Sequence, residues 1–449
     1  MDRARLQHLL ARESAEAERR NPRSKAAYER ADHLFGRVPM TWMNKTAGAF
    51  PRYLGSARGA RITDVDGHEY IDFCLGDTGA MAGHSPDVVA RAVQHRFAEL
   101  GGATAMLPTE DAEWVGAELT RRFGLARWSF SLTATDANRW AIRLARAITG
   151  RPKILVNSYS YHGSVDESLI VVGPDGRGTA RPGNVGAPCD VTLTSRVAEF
   201  NDLAQLEREL AHGDVAAVLM EPALTNIGIV LPEPGYLAGV RELTRRHGVL
   251  LINDETHTFS AGPGGCTAAW DLQPDMLTIG KAIGGGIPAG AYGLSAELAD
   301  RLLGRDDLDL VDMGGVGGTL AGNALSVAAM RATLEHVLTD GAFAHMDKLS
   351  ERFEAGVRSG IEAHALPWSV SRLGARTEYR FADPAPRTGS ESAEAADPEL
   401  EDYLHLYLAN RGILLTPFHN MALMCPATTV EDVDAHTDVF AAALAHLAG

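Results

Sequence analysis

No stretch of this chain approaches eighteen consecutive apolar residues, so no membrane-spanning helix is expected. Cysteine is scarce. Cys74, Cys189, Cys266 and Cys425 are scattered and form no C-x-x-C pair, which argues against a disulfide framework or a zinc site. A reducing cytoplasm is the simplest compartment. The first twenty residues, MDRARLQHLLARESAEAERR, are charged throughout and lack the apolar core of a signal peptide. Positive charge is in deficit, with 42 Lys and Arg against 58 Asp and Glu and a formal net charge of -16. Nucleic acid and anionic membrane are therefore not expected as partners, although one pocket can be cationic on an acidic protein. Lysine is the scarcer cation, present only at positions 25, 45, 153, 281 and 348. A surface built with arginine gives no reason for Lys281 to sit in a glycine-rich, apolar segment.

What is present suits a soluble globular protein with at least one large core. The 449 residues are 45% hydrophobic, enough for two or three domains. Residues 1 to about 34 read as a polar helix with a sparse apolar stripe, an arm rather than a core element. In GARITDVDGHEYIDF the Asp66-Gly67 pair marks a hairpin turn. From about 85 to 300 the pattern alternates. WSFSLT, KILVNS, DVAAVLMEP, VLLIND and DMLTIGK read as strands. The run Asp136 to Ile148, LAQLERELAHG and GYLAGVRELTRRHG, closed by Gly248, read as helices. Such alternation predicts a parallel sheet covered on both faces. From about 326 two long helices lead to a strand, GARTEYRF, and a polar loop, ADPAPRTGSESAEAADPEL. That reads as a smaller α+β domain.

In open α/β sheets ligands bind beyond the carboxyl ends of the strands. Four such ends carry chemistry. Thr133, Ala134 and Thr135 open a helix after WSFS, and helix-start N–H groups hold anions; simple capping is an alternative. Tyr159, Ser160, Tyr161, His162 and Gly163 follow KILVNS and offer an aromatic to stack on a flat ring, or merely to pack. Asp254 follows VLLIN, and an acid there needs a cation or a proton donor, or caps the next turn. Lys281 precedes Ala282-Ile283-Gly284-Gly285-Gly286; a desolvated lysine can act as a nucleophile toward aldehydes, or reach out to water. Together the four describe one ligand with a phosphate, a flat ring, a protonated ring nitrogen and an aldehyde. Pyridoxal 5'-phosphate (PLP) has all four.

These residues resemble the class III aminotransferases of PLP fold type I, and within them glutamate-1-semialdehyde aminomutase and its transaminase relatives. The likeness runs from about residue 38 to the end through DVDGHEYIDF, AGHSP, AIRLARAITGRPKI, YHG, the segment from Glu221-Pro222 to Pro232, Asp254-Glu255, GKAIGGGIPAG and GGTLAGN. It implies an α/β, aspartate aminotransferase-like fold: an arm and part of the small domain in 1–75, a large PLP-binding domain with a mostly parallel sheet in 76–325, and a small domain in 326–449. It implies that Lys281 forms the Schiff base and then carries the substrate proton. Asp254 pairs with the pyridine nitrogen, and Tyr161 and Thr256 flank the ring. His162, Glu221 and Asn226 line the cofactor. Thr133, Ala134 and Thr135 hold the phosphate, and Gly318 and Thr319 reach that of a neighbouring subunit, so a homodimer with shared active sites is implied.

Three departures from the family pattern stand out. Ala134 replaces a glycine in the phosphate turn and lacks its freedom at positive φ. Thr256-His257 adds polarity beside the ring. Asp77-Thr78 falls where the aminomutases place a substrate-side aromatic, so Asp77 either repels an acidic side chain, attracts an amine or stabilises a turn. A substrate carboxylate calls for an arginine fork, with Arg376 ahead of Arg52, Arg380 and Arg411. Trp42 walls the pocket or packs in the core.

The expected activity is transfer of an amino group from an amino acid or amine donor to a keto acceptor. An intramolecular aminomutase or a racemase would use the same residues. A nicotinamide oxidoreductase is disfavoured, because no G-x-G-x-x-G follows the first strand. A non-catalytic PLP-fold binding protein would not need Lys281, Asp254 or Tyr161.

Overall fold

The computed structural model describes residues 2–186, 190–311 and 313–449; Cys189 lies outside them. The chain divides into two compact units. One comprises residues 87–340 with 386–394, and the other residues 1–86, 341–385 and 395–449.

The first unit is built on a seven-stranded sheet. Its strands, numbered in chain order, are β1 (Arg127–Ser131), β2 (Lys153–Asn157), β3 (Ser195–Ala198), β4 (Val215–Met220), β5 (Leu250–Asp254), β6 (Met276–Gly280) and β7 (Gly290–Leu294). They lie in the order β1-β7-β6-β5-β4-β2-β3. Neighbours from β6 to β3 pair in parallel, whereas β7 runs antiparallel to both β6 and β1. Every residue of β4 and β6 is buried, because a strand covered on both faces reads as a continuous apolar run. Side chains alternate between two cores. Ile154, Val156, Ala217 and Leu219 pack with Ala137, Trp140 and Leu144. Leu155, Val218 and Met220 face Leu206, Val240 and Leu243 on the other side.

Helix α1 (Ala134–Thr149) follows β1. Its buried face, Ala137, Trp140, Ala141, Leu144 and Ala145, repeats at helical spacing, and Thr133 caps it by accepting from the Asp136 N–H. Helix α2 (Tyr236–His247) ends at left-handed Gly248, as its sequence predicts. To the central sheet the structure adds two strands that sequence reasoning missed, β3 and β7. β3 is a four-residue edge strand, and β7 contains two glycines, which weakens its strand pattern.

The second unit holds a four-stranded and a three-stranded sheet. Arg61–Asp64 and Glu69–Asp72 form the expected hairpin, with Gly67 at φ +91° in its turn. Arg376–Arg380 is the strand predicted in GARTEYRF. The first thirty residues, expected as a helical arm outside the core, pack on the rest of their unit. They form two helices, Arg3–Arg20 and Pro22–Arg30, broken at Pro22. Leu6, Leu9, Glu13 and Ala17 are buried, and the first helix packs along Pro398–Ala409. The unit boundaries fall at 86/87 and 340/341, where the sequence suggests 75/76 and 325/326. Helix α3 (Ala324–His336) joins the central-sheet unit because it packs on the helices Asp87–Gln94 and Glu110–Phe123. No helix of the described residues is long and apolar enough to cross a membrane.

Candidate active site

The site is a product of strand register. β5 and β6 pair in parallel with Ile252 opposite Met276, Asn253 opposite Leu277 and Asp254 opposite Thr278. β5 ends at Asp254 and β6 runs on past Thr278 to Gly280, so the residues that follow emerge on the same edge of the sheet. Three positions beyond the last pair stand His257 on one chain segment and Lys281 on the other. Lys281 Nζ lies 2.6 Å from His257 Nε2. Lys281 itself has φ +50°, a conformation uncommon for a side-chain-bearing residue and one that concentrates at functional sites.

Asp254 is 3% exposed. Its Oδ2 accepts from Asn138 Nδ2 at 2.8 Å and pairs with His162 Nδ1 at 2.9 Å, and its Oδ1 accepts from the Thr256 N–H at 3.1 Å. Burial pushes the carboxyl up, but the hydrogen bonds and charge of His162, with those of Thr256 and Asn138, outweigh it and hold the group down to about 2. Asn138 is fixed in turn by Thr278, whose hydroxyl donates to Asn138 Oδ1 at 2.6 Å. The next acid behaves differently. Glu255 accepts from the hydroxyls of Thr258 and Thr267 and from the N–H groups of Cys266 and Thr267. Burial still raises its carboxyl, and it serves as the anchor of the turn that carries His257.

Beyond β2, Tyr161 is half-exposed and its N–H reaches Glu221 Oε1 at 3.5 Å. Glu221, at the end of β4, is buried and takes a short hydrogen bond from the Thr225 hydroxyl. Burial pushes its carboxyl up to about 7. Asn226 Nδ2 donates to the Tyr159 carbonyl at 3.3 Å, tying the two loops together.

Thr133, Ala134 and Thr135 stand at the start of α1, where first-turn N–H groups lack intrahelical acceptors. The turn is pressed against its neighbours: a Cβ on Gly280 would lie 2.9 Å from Ala134 N, and one on Gly163 would lie 1.9 Å from Thr135 Oγ1. Ala134 is not among the positive-φ residues. The alanine therefore occupies this turn without needing glycine's freedom.

These residues fit PLP. Two buried polar atoms beside Asp254, His162 Nε2 and Thr256 Oγ1, have no hydrogen-bond partner among the described residues, so the lining lacks a polar occupant. A buried carboxylate held ionised suits a protonated ring nitrogen, a neighbouring strand end supplies an amine, and a helix N-terminus suits a phosphate.

The family description Aminotransferase class-III matches residues 42–445. This chain belongs to the class III aminotransferases. Its cofactor is PLP. Glutamate-1-semialdehyde 2,1-aminomutase of Anaeromyxobacter dehalogenans is 33% identical over 91% of this chain and 95% of its own length. Two structures of a glutamate-1-semialdehyde-aminomutase from Pseudomonas aeruginosa PAO1 are 49% and 48% identical, each spanning 100% of this chain and 99% of its own, with TM-scores of 0.96 and 0.95. The second, a lysine-to-alanine variant, is in complex with PMP. An omega-transaminase from Sphaerobacter thermophilus is 30% identical over 95% of this chain and 98% of its own, with a TM-score of 0.85.

The remaining sequence candidates lie elsewhere. Gly318 and Thr319 are on an exposed turn of the central-sheet unit. Trp42, Asp77 and Arg376 belong to the other unit. Trp42 is 43% exposed and sets its ring edge-on to Phe418 at 5.5 Å. Arg376 is 1% exposed, pairs with Asp77 Oδ1 at 3.3 Å and donates a short hydrogen bond to the Thr78 hydroxyl. Arg411 is taken by Glu13 and Arg52 by Tyr70. Sequence reasoning missed Asn138 and Thr278 and the link from His162 to Asp254. These partners are 116, 140 and 92 residues apart, and only the fold brings them together.

Proposed function

We propose that this class III enzyme moves an amino group from an amino acid or amine donor to a keto acceptor, with Lys281 as covalent anchor and proton carrier. The observation that carries this reading is the register of β5 and β6, which sets an ionised acid and an amine at adjacent strand ends. When bound, PLP supplies an aldehyde that condenses with an amine and a protonated ring that accepts the electrons left by a departing proton. Asp254 keeps the ring nitrogen protonated by charge pairing, and His162 and Asn138 keep Asp254 ionised. Lys281 would take the proton from the donor's α-carbon and return it to the carbon on the far side of the transferred nitrogen. Tyr161 and Thr256 flank the ring, Glu221 and Asn226 border it, and Thr133, Ala134 and Thr135 hold the phosphate.

Arg376 and Asp77 are proposed to set the preference for substrate charge, and Trp42 to shape the substrate's surroundings. Asp77 already balances the guanidinium, so a substrate carboxylate must compete with it. We propose a homodimer completed by Gly318 and Thr319. Phe97, Leu100, Met106, Leu107 and Met313 are exposed large apolar side chains on the same unit, the kind of surface a partner subunit covers. A cytoplasmic setting suits the free thiols of Cys74, Cys266 and Cys425.

The likeness to aminomutases favours a second reading, intramolecular transfer within one substrate. Incubation with single amino compounds separates the two. A transaminase releases a keto product once per site and stops until an acceptor is added, whereas an aminomutase turns over into an isomer. Borohydride reduction with PLP should label Lys281 in either case, and labelling elsewhere would overturn both.

A further inference from the structure

His257 is a buried imidazole that the proposed function leaves without a task. It is 8% exposed, and its Nε2 lies 2.6 Å from Lys281 Nζ. The turn bearing it is rigid. The Phe259 N–H donates to the Glu255 carbonyl at 2.9 Å and the Ser260 N–H to the His257 carbonyl at 3.2 Å. The Glu255 carboxylate is locked by four donors, and a Cβ on Gly265 would strike its Oε2 at 2.3 Å. So the imidazole is held against the amine by the backbone rather than by a mobile side chain.

Two nitrogens at this distance need one proton between them. An ammonium and an imidazolium would both donate and repel, so the pair is stable only when it shares a single proton. The other titratable groups around this edge do not replace the imidazole. Asp254 is engaged by His162, Asn138 and Thr256, Glu255 by its own donors, and Glu221 by Thr225. The Cys266 thiol is pushed up by burial. On β7 the Tyr292 phenol is likewise raised by burial, and the buried face of α3, which packs on the Lys281 turn, carries no charged side chain.

We propose that His257 is the proton-exchange and positioning partner of Lys281, taking the proton that its ammonium must shed before the amine can capture the cofactor's aldehyde. The inference rests on the assignment of Lys281 as the PLP lysine. The balance is complete within the site. The ammonium gives a proton to His257 Nε2, and the freed lone pair forms the N–C bond. The aldehyde oxygen leaves as water with two protons, one passed from the attacking nitrogen once the N–C bond has formed and one handed back by His257. Ammonium plus aldehyde becomes protonated imine plus water, and the histidine ends as it began.

The test is the rate at which apoprotein captures PLP, followed by the visible absorbance of the bound cofactor from roughly pH 6 to pH 9. Wild type should capture at a nearly constant rate across this range. His257→Gln keeps an acceptor for the amine but cannot take its proton. It should be slower at neutral pH by about tenfold or more, with a rate that climbs toward wild type as pH approaches the lysine range. His257→Phe should show the same climb from a lower start; should it fail to fold by circular dichroism, His257→Gln decides alone. Capture in His257→Gln at the wild-type rate and profile overturns the inference. So does slowing by one factor at every pH, since that is the mark of a merely structural role. Borohydride labelling of Lys281 in wild type keeps the two readings apart. Absent labelling sinks the Lys281 assignment, whereas labelling with an unaffected variant sinks only the role of His257.

Discussion

Asp254 and Arg376 are both buried charges, and they are handled in opposite ways. Asp254 is ringed by donors that keep it ionised, His162, Asn138 and Thr256. Beside it two polar atoms still lack partners among the described residues. Arg376, in the other unit, has its opposite charge supplied from within by Asp77 and a hydroxyl from Thr78. One region keeps a charge ready for a cationic ring, and the other has balanced its charge already. The difference separates a charge left open to a resident cofactor from one already paired, which, under the role proposed for Arg376, a substrate carboxylate would have to displace.

Breaking the prepared side should have the largest effects. Lys281→Ala should abolish borohydride-trapped PLP and lower amino transfer by at least about a thousandfold, because both anchor and proton carrier are lost. Asp254→Asn keeps the shape and removes the charge. It should cost about a hundredfold or more in kcat while PLP remains attached, which absorbance would show.

Glu221 sharpens the contrast, since it is a carboxyl in the same unit where burial prevails over the hydrogen bonds it accepts and carries it from 4.5 up to about 7. Its raised value means that the folded state prefers the protonated acid. The associated stability is present below 4.5 and is lost as pH rises through about 7. Asp254 has the opposite sign: its contribution is present above 3.8 and is lost as pH falls toward about 2. The wild-type-minus-Glu221→Gln difference in unfolding free energy should therefore decline by about 3 kcal/mol between pH ~4 and pH ~8. A flat difference in denaturant titrations would contradict the burial argument.

The smallest effect is expected on the balanced side. Arg376→Ala should raise KM for a carboxylated donor about tenfold more than for a simple amine, the size of one charged hydrogen bond. Equal effects on both donors would remove Arg376 from any carboxylate role.

Much of this was legible before the fold. The strands β2, β4, β5 and β6 announce themselves as apolar runs, and the chemistry sits at their carboxyl ends as parallel sheets require. Lys281 stood out because lysine is rare. β3 and β7 were hidden by shortness and by glycine. The first helix was misjudged because its stripe of Leu6, Leu9 and Ala17 is sparse and interrupted by Glu13, an acid buried by its pairing with Arg411. The Asp254 network was invisible because hydrogen bonds between segments about a hundred residues apart leave no local pattern. Whether Ala134 suits its turn depends on a backbone angle, which the sequence does not show.

Because β5 and β6 advance in step, the neighbourhood of the reactive amine is a matter of counting residues past Asp254 and Thr278. Deleting Glu255 or Thr256, which lie past the end of β5, would leave both strands intact and still carry the imidazole away from its amine. The spacing of these exits, more than the composition of the sheet beneath them, fixes which side chains meet.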